Sequence, residues 1–172
     1  MSTSKNKDMQ VVLWGFNGEG KTHLLYQGLK GIKDFKTTST LPWNIENINI
    51  NGIDMTIWDI GGRVWFSELY QKKYLSMADV LIFCIDSTVN INDLRCDYER
   101  FEKCLELIED KPLLVAITKI DKRIVRTYDI IETFKLNKLF ERKQKFGIIE
   151  CSSYTTQGIK EIKFWLSNII KK

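Results

Sequence analysis

The chain has 172 residues, of which 44% are hydrophobic and 28% charged, a balance typical of one globular domain rather than a disordered chain. The net charge of +4 is mild, no nucleic-acid-binding module is visible, and no apolar run approaches the ~20 residues of a membrane span. Four cysteines without a CxxC pair and a single histidine exclude a Cys/His metal cluster and favour a reducing compartment.

The N-terminus is polar and offers no membrane anchor. Residues 1–9 lack the apolar core of a signal peptide, and residue 2 is Ser rather than a Gly that could be myristoylated. No prenylatable cysteine stands near Lys172. We therefore predict a disordered extension over 1–9 and a single domain over 10–172. We also predict a cytoplasmic protein without an intrinsic anchor, which reaches membranes only through partners.

Strands and helices alternate along the domain. The predicted strands are Gln10–Trp14, Ile45–Ile50, Ile53–Trp58, Val80–Ile85, Leu113–Ile117 and Phe146–Ile149. The predicted helices are Lys21–Leu29, Glu68–Leu75, a stripe from Leu94 to Ile108, Tyr128–Phe134 after a Thr127 cap, and one from Ile159 to Ile169. This order predicts a three-layer α/β fold with a six-stranded, mostly parallel sheet, one antiparallel edge strand and about five helices.

A phosphate-binding motif follows the first strand. The sequence GFNGEGKT matches GxxxxGK[ST] between a strand and a helix, which is the context that confirms the motif. Its backbone N–H groups form an anion nest, Lys21 supplies a point charge for the β- and γ-phosphates, and the Thr22 hydroxyl ligates Mg²⁺. The predicted nucleotide-binding residues here are Asn17, Gly18, Glu19, Gly20, Lys21, Thr22 and His23. The motif alone fits kinases and ATPases as well as GTPases.

A carboxylate and a glycine pair end the third strand. Asp59 is placed to hold Mg²⁺ through water. Gly62 has no side chain, so its N–H can approach the γ-phosphate, and the segment can pivot when that phosphate leaves. On the same strand, Trp58 shares the polar face with Asp54 and Thr56. A tryptophan in that place predicts contact with a partner protein, and ordinary packing is the alternative.

The base-reading motif follows the fifth strand, as Thr118-Lys119-Ile120-Asp121. The Asp121 carboxylate can accept the N1 and N2 hydrogens of guanine, whereas adenine lacks this donor pair. The Lys119 stem can lie along the base, and Thr118, in place of the usual Asn, can bridge loops. After the last strand, the stretch Cys151-Ser152-Ser153 offers a backbone N–H to the guanine O6. Together these motifs predict GTP or GDP as the ligand.

A basic region lies between the base-reading motif and the last strand. From Lys122 to Lys145 there are eight basic and three acidic residues. A solvated surface is the plain interpretation, and attraction to an acidic partner or to anionic lipid is the alternative.

From about Gln10 to Lys172 the sequence resembles the ADP-ribosylation factor-like branch of the Ras-type small GTPases. The stretch Thr40–Glu46 is similar to TIGFNVE of switch I, and Trp58–Gly62 is similar to the WDxGG of switch II. The resemblance implies that Thr40 binds Mg²⁺ and senses the γ-phosphate. It also implies a GTP/GDP switch that serves membrane traffic or ciliary or cytoskeletal organisation. The implied partners are effectors, an exchange factor and a GTPase-activating protein, with an effector surface on Trp43, Trp58 and Tyr74.

Several residues depart from the family pattern. The candidate catalytic residues are Lys21, Gly62 and Arg63. Arg63 stands where the family carries a Gln that orients the attacking water, and this difference predicts weak intrinsic hydrolysis of GTP. Pro42 replaces a Gly and stiffens switch I. These departures leave a constitutively GTP-bound scaffold as an alternative. A small phosphotransferase on the same loop is another, although it would need an Arg-rich lid and an acceptor pocket.

Overall fold

Six strands form one sheet in the order β2-β3-β1-β4-β5-β6. A computed structural model describes residues 8–36, 42–63 and 68–169. The strands are β1 (Met9–Trp14), β2 (Trp43–Ile50), β3 (Ile53–Ile60), β4 (Val80–Asp86), β5 (Leu113–Thr118) and β6 (Phe146–Glu150). Every pairing is parallel except the hairpin between β2 and β3. The predicted mostly parallel sheet with one antiparallel edge strand is confirmed.

Helices cover both faces of the sheet. In the described part of the chain they are α1 (Lys21–His23, continued as a π-helix over Leu24–Leu29), α2 (Glu68–Met77), α3 (Ile91–Ile108), α4 (Thr127–Thr133) and α5 (Ile159–Ile169). Two short 3₁₀ segments follow the ends of β5 and α4, at Ile120–Lys122 and Leu136–Glu141. The five predicted helices are all present, and each boundary differs from the prediction by three residues or fewer. None of the described helices is both long and apolar enough to cross a membrane.

The core has two layers, one on each side of the sheet. On one side the rings of Phe83, Phe101 and Phe134 pack edge to face beneath α3 and α4. On the other side α1 and α5 bury apolar side chains such as Leu24 and Ile162 against the sheet. Every residue of β4 and β5 is buried, which explains why these central strands are continuous apolar runs in the sequence.

The start of α4 differs from the prediction. Thr127 was expected to cap the helix, but the N-cap is Arg126 and no side chain caps this end. The Thr127 hydroxyl instead donates to the Glu150 carboxylate at the end of β6. Arg123 also pairs with Glu150, at 2.8 Å. A charged acceptor from a distant strand has therefore replaced the local capping interaction.

The topology places the functional loops together. The five parallel strands, from β3 to β6 across the sheet, end at the same edge, and ligands of such sheets bind at the carboxyl ends of the strands. The loops after β1, β3, β5 and β6 carry the predicted phosphate, metal and base-reading motifs.

Truncating a core phenylalanine should destabilise the fold far more than truncating an exposed one. Phe101→Ala removes a ring from the centre of the aromatic cluster and should lower the free energy of unfolding by about 3–5 kcal/mol. The matched control is Phe164→Ala on α5, whose ring is 68% exposed and should cost less than about 1 kcal/mol. Urea unfolding followed by circular dichroism measures both, and equal losses would contradict this description of the core.

Candidate nucleotide site

The phosphate loop turns back on itself directly after β1. Gly15, Gly18 and Gly20 have positive φ angles of 138°, 85° and 81°, which a side chain would strain, so the motif's glycines are required by the backbone. Gly20 precedes the first residue of α1. The amides of this turn and of the helix start therefore belong to one concave stretch of backbone.

Lys21 lies inside the loop. Its side chain is buried, and its Nζ donates to the Gly15 carbonyl at 2.9 Å and to the Phe16 carbonyl at 2.5 Å. Among the described residues, both acceptors of the ammonium group are neutral carbonyls. A phosphate oxygen is a charged acceptor and would compete well for these donors.

Glu19 is a buried carboxylate within the same loop. It is 4% exposed, and its Oε2 accepts a hydrogen bond from the Phe16 N–H at 2.7 Å. Burial raises the pKa of Glu19 to about 8, although nearby Lys21 and the hydrogen bond act in the opposite direction. The sequence motif predicted Glu19 as a nucleotide-binding residue of the loop but did not predict its burial. The available signal was an acidic residue between two glycines in a loop that the motif predicts to bind anions.

The predicted metal ligands meet where the loop adjoins β3. The Thr22 hydroxyl donates to the Asp59 carboxylate at 2.7 Å, and Asp59 is buried. One hydroxyl and one carboxylate suit Mg²⁺, which keeps several waters and takes further oxygens from phosphates. Within 8–36, 42–63 and 68–169, no three His, Cys, Asp or Glu side chains form a metal cluster. The third predicted ligand, Thr40, lies outside the described residues.

Gly62 lies directly against the phosphate loop. A Cβ at this position would come within 2.3 Å of the Asn17 backbone nitrogen and 2.5 Å of the Phe16 carbonyl carbon, so only glycine allows this approach. Arg63, the next residue, is exposed. The chain therefore brings a backbone segment to the loop at the position expected of the γ-phosphate sensor.

Thr118 ties the base-reading loop to the phosphate loop. It is buried, and its hydroxyl lies 2.9 Å from the Glu19 carbonyl and 3.2 Å from the Ile85 carbonyl. The expectation that a threonine could bridge loops at this position is confirmed. Lys119 follows with a φ of 57°, and its Nζ pairs with Asp86 at 2.5 Å. The base-reading loop is thus held both by the phosphate loop, which follows β1, and by Asp86 at the end of β4.

A cavity of about 350 Å³ opens beside these loops. The predicted site residues that line it are Gly20, His23, Thr118, Lys119, Asp121, Ser152 and Ser153. Lining residues that were not predicted are Gln27, Asp34, Phe35, Lys36, Lys122 and Tyr154. Gln27 lies one helical turn beyond His23, so helix spacing was a usable signal. The segment 34–36 belongs to a loop, and no periodicity marks it.

The remaining predicted nucleotide residues in the described part of the chain do not line the cavity. Cys151 is buried, and its N–H donates to the Ile117 carbonyl at 2.7 Å, so it fixes the loop that carries Ser152 and Ser153. The predicted residues on the phosphate side do not line it either; these are Asn17, Gly18, Glu19, Lys21, Thr22, Asp59 and Gly62. The cavity is therefore lined by the predicted base-reading residues, and the phosphate loop adjoins it through Gly20.

The aromatic residues predicted as an effector surface differ in exposure. Trp43 is 39% exposed, whereas Trp58 is half-buried and donates from Nε1 to the Gln10 Oε1 at 2.8 Å. Tyr74 is only 2% exposed and lies beneath both indoles, at centroid distances of 5.7 and 6.3 Å. Tyr74 therefore supports the tryptophans in this structure rather than facing a partner, because α2 packs it into the core. Ile45 and Tyr70 are exposed nearby.

Comparison with known proteins identifies relatives along the whole chain. The model of the ADP-ribosylation factor family matches residues 1–170. ADP-ribosylation factor J of Dictyostelium discoideum is 31% identical, over 94% of this chain and 85% of that protein. ADP-ribosylation factor 3 of Arabidopsis thaliana is 26% identical, over 96% and 90%.

A solved structure has the same fold. It is that of the Arl6 BBS3 small GTPase from Trypanosoma brucei with bound nucleotide analogue GppNp, which matches with a TM-score of 0.73 and covers 95% of this chain and 97% of its own. The two sequences are 20% identical, so this likeness shows the fold alone.

Removing the Thr118 hydroxyl should weaken nucleotide binding. Thr118→Val keeps the shape but leaves the buried Glu19 carbonyl without this donor, so GDP affinity should fall by about tenfold. The control is Thr56→Val, which removes an exposed hydrogen bond to Asn47 on the hairpin. Titration calorimetry measures both, and equal affinities for the two variants would show that the bridge does not matter.

Proposed function

The chain belongs to the ADP-ribosylation factor family of small GTPases, and from this premise we propose that its carboxyl-edge site binds Mg²⁺ with GTP or GDP and recruits effector proteins in the GTP state. The main support for this proposal is that the phosphate loop and the base-reading loop, which are far apart in sequence, lie next to each other. The Thr118 hydroxyl joins the base-reading loop to the phosphate loop, and the cavity between them holds Asp121.

The cavity suits a guanine base. Asp121 lines it, and a carboxylate there can accept hydrogen bonds from both N1 and N2 of guanine. Asp121 is exposed in the ligand-free structure, and covering its carboxylate with adenine, which presents no such pair of donors, would be costly. Gly20 and the Lys119 stem line the same cavity, where they offer the base a flat apolar contact.

The phosphate side requires little rearrangement. Lys21 would exchange the carbonyls of Gly15 and Phe16 for phosphate oxygens, and the loop amides would meet the remaining charge. Thr22 and Asp59 would hold Mg²⁺, Asp59 through water, and the ion when bound neutralises charge on the β- and γ-phosphates. Gly62 would offer its N–H to the γ-phosphate.

We propose that the protein hydrolyses GTP only slowly without a partner protein. The family's Gln can both accept from and donate to an attacking water, whereas the guanidinium of Arg63 only donates. Arg63 is exposed in this structure, which leaves it accessible to a GTPase-activating partner.

A protein that holds GTP permanently as a scaffold is the second candidate, and the same Arg63 favours it. GTP and GDP release rates separate the two proposals, because only a cycling switch exchanges its nucleotide.

The exposed face of β2 and α2 is the proposed effector surface. Trp43 on β2 and Tyr70 on α2 both pack against the Tyr74 ring, at centroid distances of 5.7 and 6.3 Å. Both are exposed, as is Ile45, two residues along β2 from Trp43. Apolar side chains clustered on a surface favour protein contact, and tryptophan and tyrosine are enriched among residues that dominate binding energy. An exchange factor and an activating protein are further proposed partners. A role in membrane traffic, or in ciliary or cytoskeletal organisation, rests on the family alone.

Base selection should depend on Asp121. The wild-type protein should bind GTP at least about 10⁴-fold more tightly than ATP, and about tenfold or more tightly than ITP, which lacks the 2-amino group. Asp121→Ala should abolish the preference over ITP. The control is Asp129→Ala, which removes an exposed carboxylate paired with Arg126 outside the cavity. Competition against fluorescent GDP gives all ratios, and a preference for ATP in the wild type would overturn the proposal.

Restoring glutamine should accelerate hydrolysis. Arg63→Gln should raise the single-turnover rate of GTP hydrolysis by about tenfold or more, because Gln can orient the attacking water. Arg95→Gln changes another exposed arginine, on α3, and should leave the rate unchanged. Phosphate release measured by a rapid fluorescent assay reports the rates. An unchanged or lower rate in the Arg63 variant would refute the role given to this position.

A further inference from the structure

A carboxylate lies beneath the loop that is expected to bind phosphates. The Glu19 Oε2 accepts the Phe16 N–H at 2.7 Å. A Cβ at Gly15 would lie 2.3 Å from that oxygen and 2.7 Å from the Cys84 carbonyl oxygen, so the Gly15 backbone lies directly against both the carboxyl group and β4. The carboxyl group contacts the loop backbone directly through this hydrogen bond, and its residue is almost fully buried.

The groups around Glu19 are mostly acidic or neutral. Those that influence its charge are Lys21 from α1, Asp86 and Cys84 from β4, and Asp97 from α3. Burial holds the pKa of the Cys84 thiol well above its usual value, so that group stays neutral. Arg100, also on α3, stacks on the Phe16 ring at 5.0 Å and faces Asp97 at 3.6 Å. Its charge is therefore partly compensated by Asp97.

Lys21 is the cation that offsets an ionised Glu19. Its Nζ is bonded to the Phe16 carbonyl, and Glu19 is bonded to the Phe16 N–H, so both charged groups hold the same residue. Binding of a nucleotide would draw Lys21 toward the phosphates and would add several negative charges at the loop. Both changes act against a carboxylate and in favour of the neutral acid.

We propose that Glu19 takes up a proton when the site binds a nucleotide, so that nucleotide affinity falls as the solution becomes alkaline. The inference rests on the proposed nucleotide-binding function and adds a residue that positions the loop. As a neutral acid, Glu19 keeps an oxygen for the Phe16 N–H and no longer repels the phosphates. As a carboxylate, it makes the same hydrogen bond but opposes the ligand.

The direction of the effect follows from linkage. Burial raises the pKa of Glu19 to about 8 in the ligand-free protein, and bound phosphates raise it further. Below about pH 8 the group is neutral both before and after binding and leaves affinity unchanged. Above that pH the free protein must capture a proton on binding, so affinity falls by up to about tenfold per pH unit.

Glu19→Gln tests the proposal, because glutamine keeps the shape and an acceptor oxygen but cannot ionise. Mg²⁺ and GDP are titrated into wild type and variant between about pH 6.5 and about pH 9.5. The ratio of the wild-type to the variant dissociation constant should rise above about pH 8 by up to about tenfold per unit. Taking the ratio cancels every other titrating group, including the guanine. Glu19→Ala also cannot ionise and replaces the glutamine variant if that fails to fold.

A second readout counts the protons directly. Calorimetry near pH 8.5 in buffers of different ionisation enthalpy should show that wild type takes up more protons on binding GDP than Glu19→Gln does. GDP binding with equal pH slopes and equal proton uptake in the two proteins would overturn this inference alone. Failure of the wild type to bind GDP at any pH would overturn the proposed function and this inference with it.

Discussion

One hydrogen bond connects the two halves of the candidate site. The Thr118 hydroxyl reaches the Glu19 carbonyl, which joins a loop after β5 to the loop after β1 across 99 positions of sequence. The remainder of the site depends on this link, because a base-reading carboxylate selects a nucleotide only if it stands at a fixed distance from the phosphate loop. The buried central strands hold the two loop origins rigidly, and the hydroxyl fixes their tips.

The loop also shows a compromise between anion binding and its own stability. Its backbone and Lys21 favour negative charge, yet Glu19 is placed within it and holds the Phe16 N–H. In the ligand-free loop, Glu19 accepts the Phe16 N–H in either protonation state, and above about pH 8 its charge also offsets the lysine. With a nucleotide present, the same group is favourable only when neutral. A side chain that stabilises the empty loop can therefore make binding sensitive to protons.

Much of this arrangement was predictable from sequence, for identifiable physical reasons. The apolar runs of β4 and β5 predict buried parallel strands, and Asn51-Gly52 predicts the hairpin, because these signals are local. The phosphate loop and Asp121 were found through motifs whose spacing is fixed by chemistry. Three other features depend on elements that are distant in sequence. Tyr74 is buried, Thr127 donates to Glu150 instead of capping α4, and Phe35 lines the cavity. The burial of Glu19 likewise follows from how α3 and β4 pack around the loop, which no local pattern records.

The most direct test of the central claim is a crystal structure of the protein with GDP and Mg²⁺. The Asp121 carboxylate should lie about 3 Å from both N1 and N2 of guanine, and Lys21 should have left the Phe16 carbonyl for the β-phosphate. A base bound outside the cavity beside Asp121, or phosphates bound away from the amides of Gly15–Thr22, would contradict it.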